Sequence, residues 1–243
     1  MSSTEKKPMV QGVAVFHEFL AKGRADTELV TGALEDRVHH LAPQATSVET
    51  ASSTTGSRAS DGFLPVRATL VQCDNRIVLV EEWESAHDYE LWYEAREGCN
   101  TNQEIRHLLA AAPTTEYFPE ALHIRQDSAA NRSSKNHEER TDNNIGILVR
   151  QKTASAENGA KLRNAQREAY ERQMPLENPG CTCCIILANS KQDPSQVRII
   201  ELWKSMQDFH VHETSDWHAT GEEKVVPLVV DMDCDFVTGN IIL

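Results

Sequence analysis

Hydrophobic and polar positions in the first half of the chain predict strands and helices in a fixed order. Residues 10–19 alternate between two faces, with Val13, Val15 and His17 on one of them, which is typical of a strand. A helical spacing of three to four residues follows and is predicted to end at Pro43. The later elements predicted for this half are a hairpin (62–73 and 76–82), a helix (86–98), a short helix (102–111) and a closing strand (115–118).

The second half repeats this order of predicted elements. They are a strand (145–149), an amphipathic helix (160–173), a hairpin (181–188 and 196–201), a helix (206–219) and a strand (228–236). Each half therefore follows the order βαββαβ, which is the ferredoxin-like arrangement. The sequence predicts an α+β fold made of two ferredoxin-like repeats in one chain.

The clearest internal repeat is a strand-to-helix corner that occurs once in each half. Residues 80–89 and 200–209 share the pattern Glu-x-Trp-x-Ser-x-x-Asp followed by an aromatic residue. Ser-x-x-Asp predicts a capped helix start, in which the Ser side chain accepts a backbone N–H and the Asp reaches back. Trp83 and Trp203 are expected to fill the gap between sheet and helix. A repeated unit of this size favours duplication.

Polar stretches divide the chain into its two repeats. Residues 1–9 are predicted to form a disordered tail, residues 10–125 the first repeat and residues 144–243 the second. Residues 44–61 and 126–143 contain almost no large apolar side chains, so they cannot bury enough surface to offset their chain entropy. We predict a mobile insertion at 44–61 and a linker at 126–143.

Composition narrows the classes of partner. The 243 residues are 40% hydrophobic and 25% charged, which is ordinary for a globular protein, and the formal net charge is −13. This excess of acid argues against nucleic acid or an anionic membrane as a partner, because both are bound by clustered Lys and Arg. No stretch reaches the roughly 20 apolar residues of a membrane helix, and the N-terminus lacks the apolar core of a signal peptide. We therefore expect a cytoplasmic protein.

Several motifs of the second half resemble the antibiotic biosynthesis monooxygenase (ABM) family. They are Asn178-Pro179-Gly180-Cys181-Thr182, Glu201-Leu202-Trp203-Lys204-Ser205, Asp208-Phe209 and the helical His212. The resemblance implies a dimeric α+β barrel, in which two ferredoxin-like units pack sheet to sheet. With both units in one chain, it implies an intramolecular pseudo-dimer, and whether two fused chains form a homodimer stays open.

The resemblance also implies a function. We expect a small-molecule enzyme of secondary metabolism that oxidises a hydrophobic polyketide or phenolic intermediate in an aromatic-lined barrel cavity. It would need no cofactor, with molecular oxygen as the co-substrate. Two alternatives stay open, namely an oxygen-independent cyclase or isomerase on a polyketide-like substrate, and a non-catalytic barrel that binds a small molecule.

The resemblance assigns roles to particular side chains. His212 would be the general base that deprotonates a phenol, with a satisfied core histidine as the structural alternative. Trp203 and Tyr93 complete the predicted catalytic set, and in the cyclase or isomerase alternative His212 and either Tyr93 or Tyr89 would move protons. The residues predicted to bind the substrate are Trp83, Tyr89, Trp92, Phe209, Trp217 and His17. Because Trp92 stands where the other repeat has His212, the two pockets differ chemically; whether one or both are active stays open, and a single active site is expected in the second half.

No metal site is predicted. His210 and His212 lie two residues apart on a helix and therefore point roughly 200° apart, and His218 is expected to be no better placed. The Cys181–Cys184 run lacks a second ligand pair. We predict buried free cysteines there that pack as small hydrophobic residues.

Overall fold

The computed structural model describes residues 12–45, 65–95, 103–125, 144–172 and 180–241. In these ranges, eight strands and five α-helices follow the repeated order that the sequence pattern predicts. The strands are β1 (Gly12–Leu20), β2 (Arg67–Cys73), β3 (Arg76–Trp83), β4 (Thr114–Arg125), β5 (Asn144–Thr153), β6 (Cys181–Ala188), β7 (Gln196–Trp203) and β8 (Val229–Ile241). The helices are α1 (Arg24–Ala45), α2 (Ala86–Ala95), α3 (Ala156–Arg172), α4 (Met206–Glu213) and α5 (Asp216–Val225). Within the described ranges, no helix combines the length and the hydropathy needed to cross a membrane.

The strands of both halves close into one antiparallel barrel, in the order β1-β3-β2-β8-β5-β7-β6-β4. Strand β2 pairs with β8 and β4 pairs with β6, so the two ferredoxin-like sheets join at both edges. At the first of these joints, a Cβ on Gly239 would stand 2.4 Å from the carbonyl oxygen of Leu70, so this close approach needs glycine. The predicted α+β barrel of two ferredoxin-like repeats is confirmed.

Some predicted segments differ from the structure or lie outside it. The tail (1–9), the linker (126–143) and positions 46–61 of the insertion lie outside the described residues. Gln44 and Ala45 belong to α1 instead, because this helix continues past Pro43 rather than ending there.

The single helix predicted at 206–219 is two helices in the structure, α4 and α5. The break lies at Ser215, whose hydroxyl donates to the His212 carbonyl oxygen at 2.6 Å and accepts the His218 N–H at 3.3 Å. One side chain therefore satisfies the end of α4 and the start of α5. The resulting turn brings α5 back over the sheet.

Both corners carry the cap that the sequence predicts. Ser85 Oγ accepts the N–H of Asp88 at 3.1 Å, and Ser205 Oγ accepts that of Asp208 at 3.2 Å. Each serine hydroxyl also donates to its aspartate at 2.6 Å.

The barrel has an apolar interior with charged groups near its ends. Apolar side chains from all eight strands form the interior cluster, and separate clusters lie on the outer face beneath the helices. At one end, Asp235 accepts hydrogen bonds from Arg150 at 2.6 Å and Arg76 at 2.7 Å. At the other end, Glu82 lies 2.6 Å from His123 Nδ1. The interior is thus filled by side chains of its own strands.

Asp235→Asn is expected to lower the free energy of unfolding by about 1–2 kcal/mol, because two partly buried guanidinium groups lose a charged acceptor. Urea denaturation at low salt measures this loss. Asp233→Asn is the matched control, since Asp233 lies 3.4 Å from Arg150 with a side chain 67% exposed, and exposed pairs contribute little. Equal losses in the two variants would contradict the assignment of Asp235 to the network.

A candidate active site beneath the helices of the second half

Two buried glutamates occupy equivalent positions on the outer face of the barrel. Glu81 on β3 and Glu201 on β7 each precede the corner tryptophan by two residues. Both side chains are almost fully buried. A buried carboxyl group is costly unless it is paired or protonated, so the partners of each glutamate decide its chemistry.

Glu81 is held as a carboxylate by Arg37, with His17 beside it. Arg37 Nη2 donates to its Oε1 at 2.9 Å, and His17 Nε2 lies 3.4 Å from its Oε2. Burial alone would raise the pKa of Glu81, but the charge of Arg37 and the contact with His17 outweigh it and keep the pKa below its usual value. The Arg37 guanidinium also packs over the Trp92 ring at 4.8 Å. The first half therefore contains a closed ion pair.

The second half lacks both of these partners. Strand β1 pairs with β3 in the same register as β5 pairs with β7, since Val13 lies opposite Trp83 and Ile145 lies opposite Trp203. Helix α1 begins as many residues after Val13 as helix α3 begins after Ile145. In this alignment, Val149 replaces His17 and Ala169 replaces Arg37.

Glu201 is surrounded by neutral hydrogen-bond donors instead. The Tyr170 hydroxyl donates to its Oε1 in a short hydrogen bond, and Trp203 Nε1 donates to its Oε2 at 3.3 Å. Among the described residues, no Lys or Arg lies within salt-bridge distance of it. Burial raises the pKa of Glu201 to about 7, despite the hydrogen bonds from Tyr170 and Trp203. Glu201 can therefore gain or lose a proton near neutral pH.

His212 faces this carboxyl group. Its Nε2 lies 3.8 Å from Glu201 Oε2, and its ring packs between Trp203 and Trp217 at centroid distances of 4.7 and 4.8 Å. Burial, together with repulsion from His218, lowers the pKa of His212 to about 3. The imidazole is therefore neutral at pH 7, and its buried Nδ1 has no partner among the described residues.

A cavity of about 390 Å³ opens onto these groups. It lies between the outer face of β5, β7 and β8 and the helices α3, α4 and α5. Glu201, Tyr170, His212 and Trp217 line it, together with an apolar wall formed by Ile147, Val149, Ile199, Val225, Val226, Val229 and Val230. Its size and its mixture of apolar wall and few polar groups are typical of a small-molecule site.

Comparison with known proteins found solved structures with a similar architecture. No protein-family model matches the chain, and no curated protein matches it. A candidate monooxygenase from Lactobacillus acidophilus NCFM superposes with a TM-score of 0.67 at 8% identity, covering 95% of both chains. A candidate monooxygenase from Fusobacterium nucleatum subsp. nucleatum gives 0.64 at 12% identity, and an anthrone oxidase-like protein gives 0.59 at 10% identity. Each of these two matches covers 96% of this chain and 94% of the other.

This chain has the tandem α+β-barrel fold of those structures. A shorter candidate ABM protein from Caulobacter crescentus CB15 covers 39% of this chain and 88% of its own at 17% identity, with a TM-score of 0.36.

The position of the cavity in this tandem barrel differs from the sequence-based expectation. A cavity inside the barrel was expected, but the interior is occupied by the apolar cluster, and the cavity lies outside the barrel wall under the helices. His212 and Trp217 line it, whereas Trp203 lies behind Glu201 and Phe209 packs on Trp203 at 6.1 Å. Trp203 thus does not line the cavity itself, but it contacts two residues that do, Glu201 and His212.

The site residues predicted in the first half are not brought to this cavity. The Trp83 ring packs on Tyr89 and Trp92 of α2, and these two rings pack on each other, at centroid distances of 5.4–6.4 Å. Tyr93 is 44% exposed beside them. His17, which was predicted to bind the substrate, is buried against Glu81.

Glu201 and Tyr170 were missed as site residues. The Glu-x-Trp repeat contained the signal for Glu201, but it was interpreted only as a marker of the fold.

His212, Glu213 and His218 are the described residues that come closest to a metal-binding arrangement. One ligand atom of each lies within 4.8 Å of the others, so the expectation that His218 is poorly placed relative to His212 was wrong. The break at Ser215 explains this, because it turns α5 toward α4. The exposed Glu213 carboxylate also lies 3.4 Å from His218 Nε2, and this contact accounts for their proximity without a metal ion.

The tandem barrel is expected to show a pH dependence set by Glu201. Only the ionised carboxylate accepts a proton, so kcat/KM should rise tenfold per pH unit below about pH 7 and level off above it. A pH–rate profile for the wild-type protein measures this. A profile that is flat between pH 5 and pH 8 would show that Glu201 does not titrate in the rate-determining step.

Proposed function

We propose that the cavity is the active site of a cofactor-independent monooxygenase, which removes a proton from a weakly acidic, oxygenated ring compound and allows the anion to react with oxygen. The observation that carries this proposal is the contrast between the two glutamates. Glu81 is paired with Arg37, whereas Glu201 faces a cavity beside His212 and has no Lys or Arg within salt-bridge distance in the described part of the chain.

Glu201 is the proton acceptor in this proposal. A base works best when its pKa lies near the working pH, and burial raises the pKa of Glu201 to about 7 while it lowers that of His212 to about 3. The role of His212 therefore shifts from base to a neutral neighbour of the carboxyl group. Tyr170 and Trp203 donate to the carboxylate and fix its orientation. Burial keeps the Tyr170 pKa well above its usual value, so this hydroxyl remains a donor.

The reaction with oxygen balances without a cofactor. The substrate carbanion or its enolate transfers electrons to O₂, and a carbon–oxygen bond forms to give a hydroperoxide. Loss of water from the hydroperoxide then gives a ketone, so that CH₂ and O₂ become C=O and H₂O. The apolar wall and the Trp217 ring would hold the flat ring and exclude water. Two similar structures are described as candidate monooxygenases and one as anthrone oxidase-like, and an anthrone has the acidic CH₂ group that this chemistry needs.

Oxygen consumption with anthrone tests the proposal. Wild-type protein should consume O₂ and form anthraquinone in equal amounts, above the rate without protein, and treatment with EDTA should leave this rate unchanged. A rate lost with EDTA and restored by a divalent metal would overturn the cofactor-independent mechanism. Absence of catalysed oxygen uptake with any anthrone or phenol would overturn the monooxygenase.

An oxygen-independent cyclase or isomerase is the second candidate. Removal and return of a substrate proton by Glu201 require no oxygen, so the same geometry supports it. Anaerobic incubation in D₂O distinguishes the two functions. Deuterium incorporation without oxygen uptake under air would favour the isomerase, whereas a ligand recovered unchanged and undeuterated would favour a binding protein.

A further inference from the structure

Two buried glutamines form a second polar group on the wall of the cavity. Gln151 on β5 and Gln166 on α3 both line it, and they are 5% and 3% exposed. Gln166 Nε2 donates to Gln151 Oε1 at 2.7 Å. The two amides therefore fix each other's positions.

This pair keeps one acceptor and one donor free. Gln166 Oε1 is buried and has no hydrogen-bond partner among the described residues. Gln151 Nε2 contacts only the Met232 sulfur, at 3.8 Å, which is a weak acceptor. Flipping both amides exchanges the two roles but still leaves one acceptor and one donor open. Buried amide groups left unsatisfied are destabilising and rare, which points to a ligand that completes them.

The Gln151–Gln166 pair and Glu201 lie at different places along the cavity wall. Glu201 is paired across the sheet with Ile147, and Gln151 with Val197, so the two positions are separated by about 13 Å along the strands. The apolar side chains of Val149 and Ile199 lie between them on the cavity wall. The cavity therefore has two polar ends joined by an apolar surface.

The first half shows that the fold does not need these amides. By the alignment of β1 with β5 and of α1 with α3, Phe19 and Leu34 stand at the positions of Gln151 and Gln166. Both are fully buried in an apolar cluster. Polar residues thus occupy these positions in the half that contains the cavity described above, and apolar residues occupy them in the other half.

We infer that Gln151 and Gln166 bind a hydroxyl group of the substrate, at the end opposite the carbon that loses its proton. A hydroxyl donates to Gln166 Oε1 and accepts from Gln151 Nε2, so one group satisfies both. The substrate class is then a ring compound with an acidic C–H at one end and a free hydroxyl at the other. The location of the reacting carbon rests on the proposed function, whereas the hydroxyl site does not.

Calorimetric binding of 1-tetralone and 6-hydroxy-1-tetralone tests this inference, because these ketones differ by one hydroxyl. Wild-type protein should bind the hydroxylated compound about 10- to 100-fold more tightly. Gln166→Leu introduces the residue of the first half and should remove this preference. Gln72→Leu on β2 outside the cavity, where Gln72 accepts from Thr31 at 3.2 Å, is the control and should retain it.

Equal affinity of the two ketones for wild-type protein, or an undiminished preference in folded Gln166→Leu, would overturn the hydroxyl site. The wild-type comparison is decisive even if the variant does not fold. Glu201→Gln should keep the preference, since binding needs no proton transfer. Selective binding without any oxygen uptake would refute the proposed function alone.

Discussion

Glu201→Gln is expected to lower kcat by roughly 10²- to 10⁴-fold, the usual contribution of a general base. Glutamine keeps the shape of the side chain, and its oxygen can accept from Trp203 while its NH2 group donates to the Tyr170 hydroxyl, but it cannot take a proton. Substrate affinity should change much less than kcat. Initial rates of oxygen uptake measure the loss, and Glu84→Gln, the same substitution on an exposed residue of the first corner, should retain wild-type turnover.

The same variant should be more stable than the wild-type protein at alkaline pH. The folded-state pKa of Glu201 is raised from 4.5 to about 7, so the folded protein binds the proton more tightly than the unfolded chain. The free energy of unfolding therefore falls as the pH rises from 4.5 through 7, by roughly 3 kcal/mol in total for a pKa shift of this size. Glu201→Gln removes this loss, and its advantage in urea denaturation should be larger at pH 8 than at pH 5. A variant that is both inactive and less stable at pH 8 would indicate a structural role for Glu201.

Arg37→Met is expected to lower the free energy of unfolding by about 3–5 kcal/mol, because it leaves the buried Glu81 carboxylate without its cation. Thermal or urea denaturation measures this loss. Adding Glu81→Gln should recover much of it, since the orphaned charge is then removed. The recovery is the control that separates a lost ion pair from lost packing of Arg37 on Trp92.

Oxygen uptake by the same variant should show that the two halves contribute differently to turnover. Below its melting temperature, Arg37→Met should keep wild-type oxygen uptake, because the cavity is lined by second-half residues. Loss of turnover in folded Arg37→Met would show that the first half takes part in catalysis.

The repeated corner was enough to predict the fold. Glu-x-Trp, the serine cap and the aromatic residue agree twice, and they define a strand end and a helix start that only a duplicated βαββαβ unit explains. Local pattern also placed His212 on the apolar side of its helix. The break at Ser215 was missed because the apolar spacing continues through it, although the serine itself was a cap signal.

The chemistry of the glutamates could not be predicted from local pattern. Glu81 and Glu201 occur in nearly the same sequence context, and they differ only in what distant elements place against them. Arg37 on α1 and His17 on β1 compensate one charge, while Ala169 and Val149 leave the other uncompensated. Such a difference depends on the register of strands far apart in the chain, which becomes known only in the folded protein.

His212→Ala is expected to reduce turnover while the protein still folds. The neutral imidazole faces Glu201 Oε2 at 3.8 Å, so its loss should reduce turnover by removing the partner of the base. The fold should survive, because the cap at Ser215 binds the backbone carbonyl of His212 and not its ring.

Carbon-13 NMR of protein labelled at the glutamate carboxyl carbons tests the central claim without any substrate. One buried carboxyl group should titrate near pH 7, and its resonance should vanish in Glu201→Gln. The resonance of Glu81 should stay that of a carboxylate down to below pH 4.5. A spectrum in which no glutamate titrates above pH 5, or in which the resonance titrating near pH 7 persists in Glu201→Gln, would contradict the account.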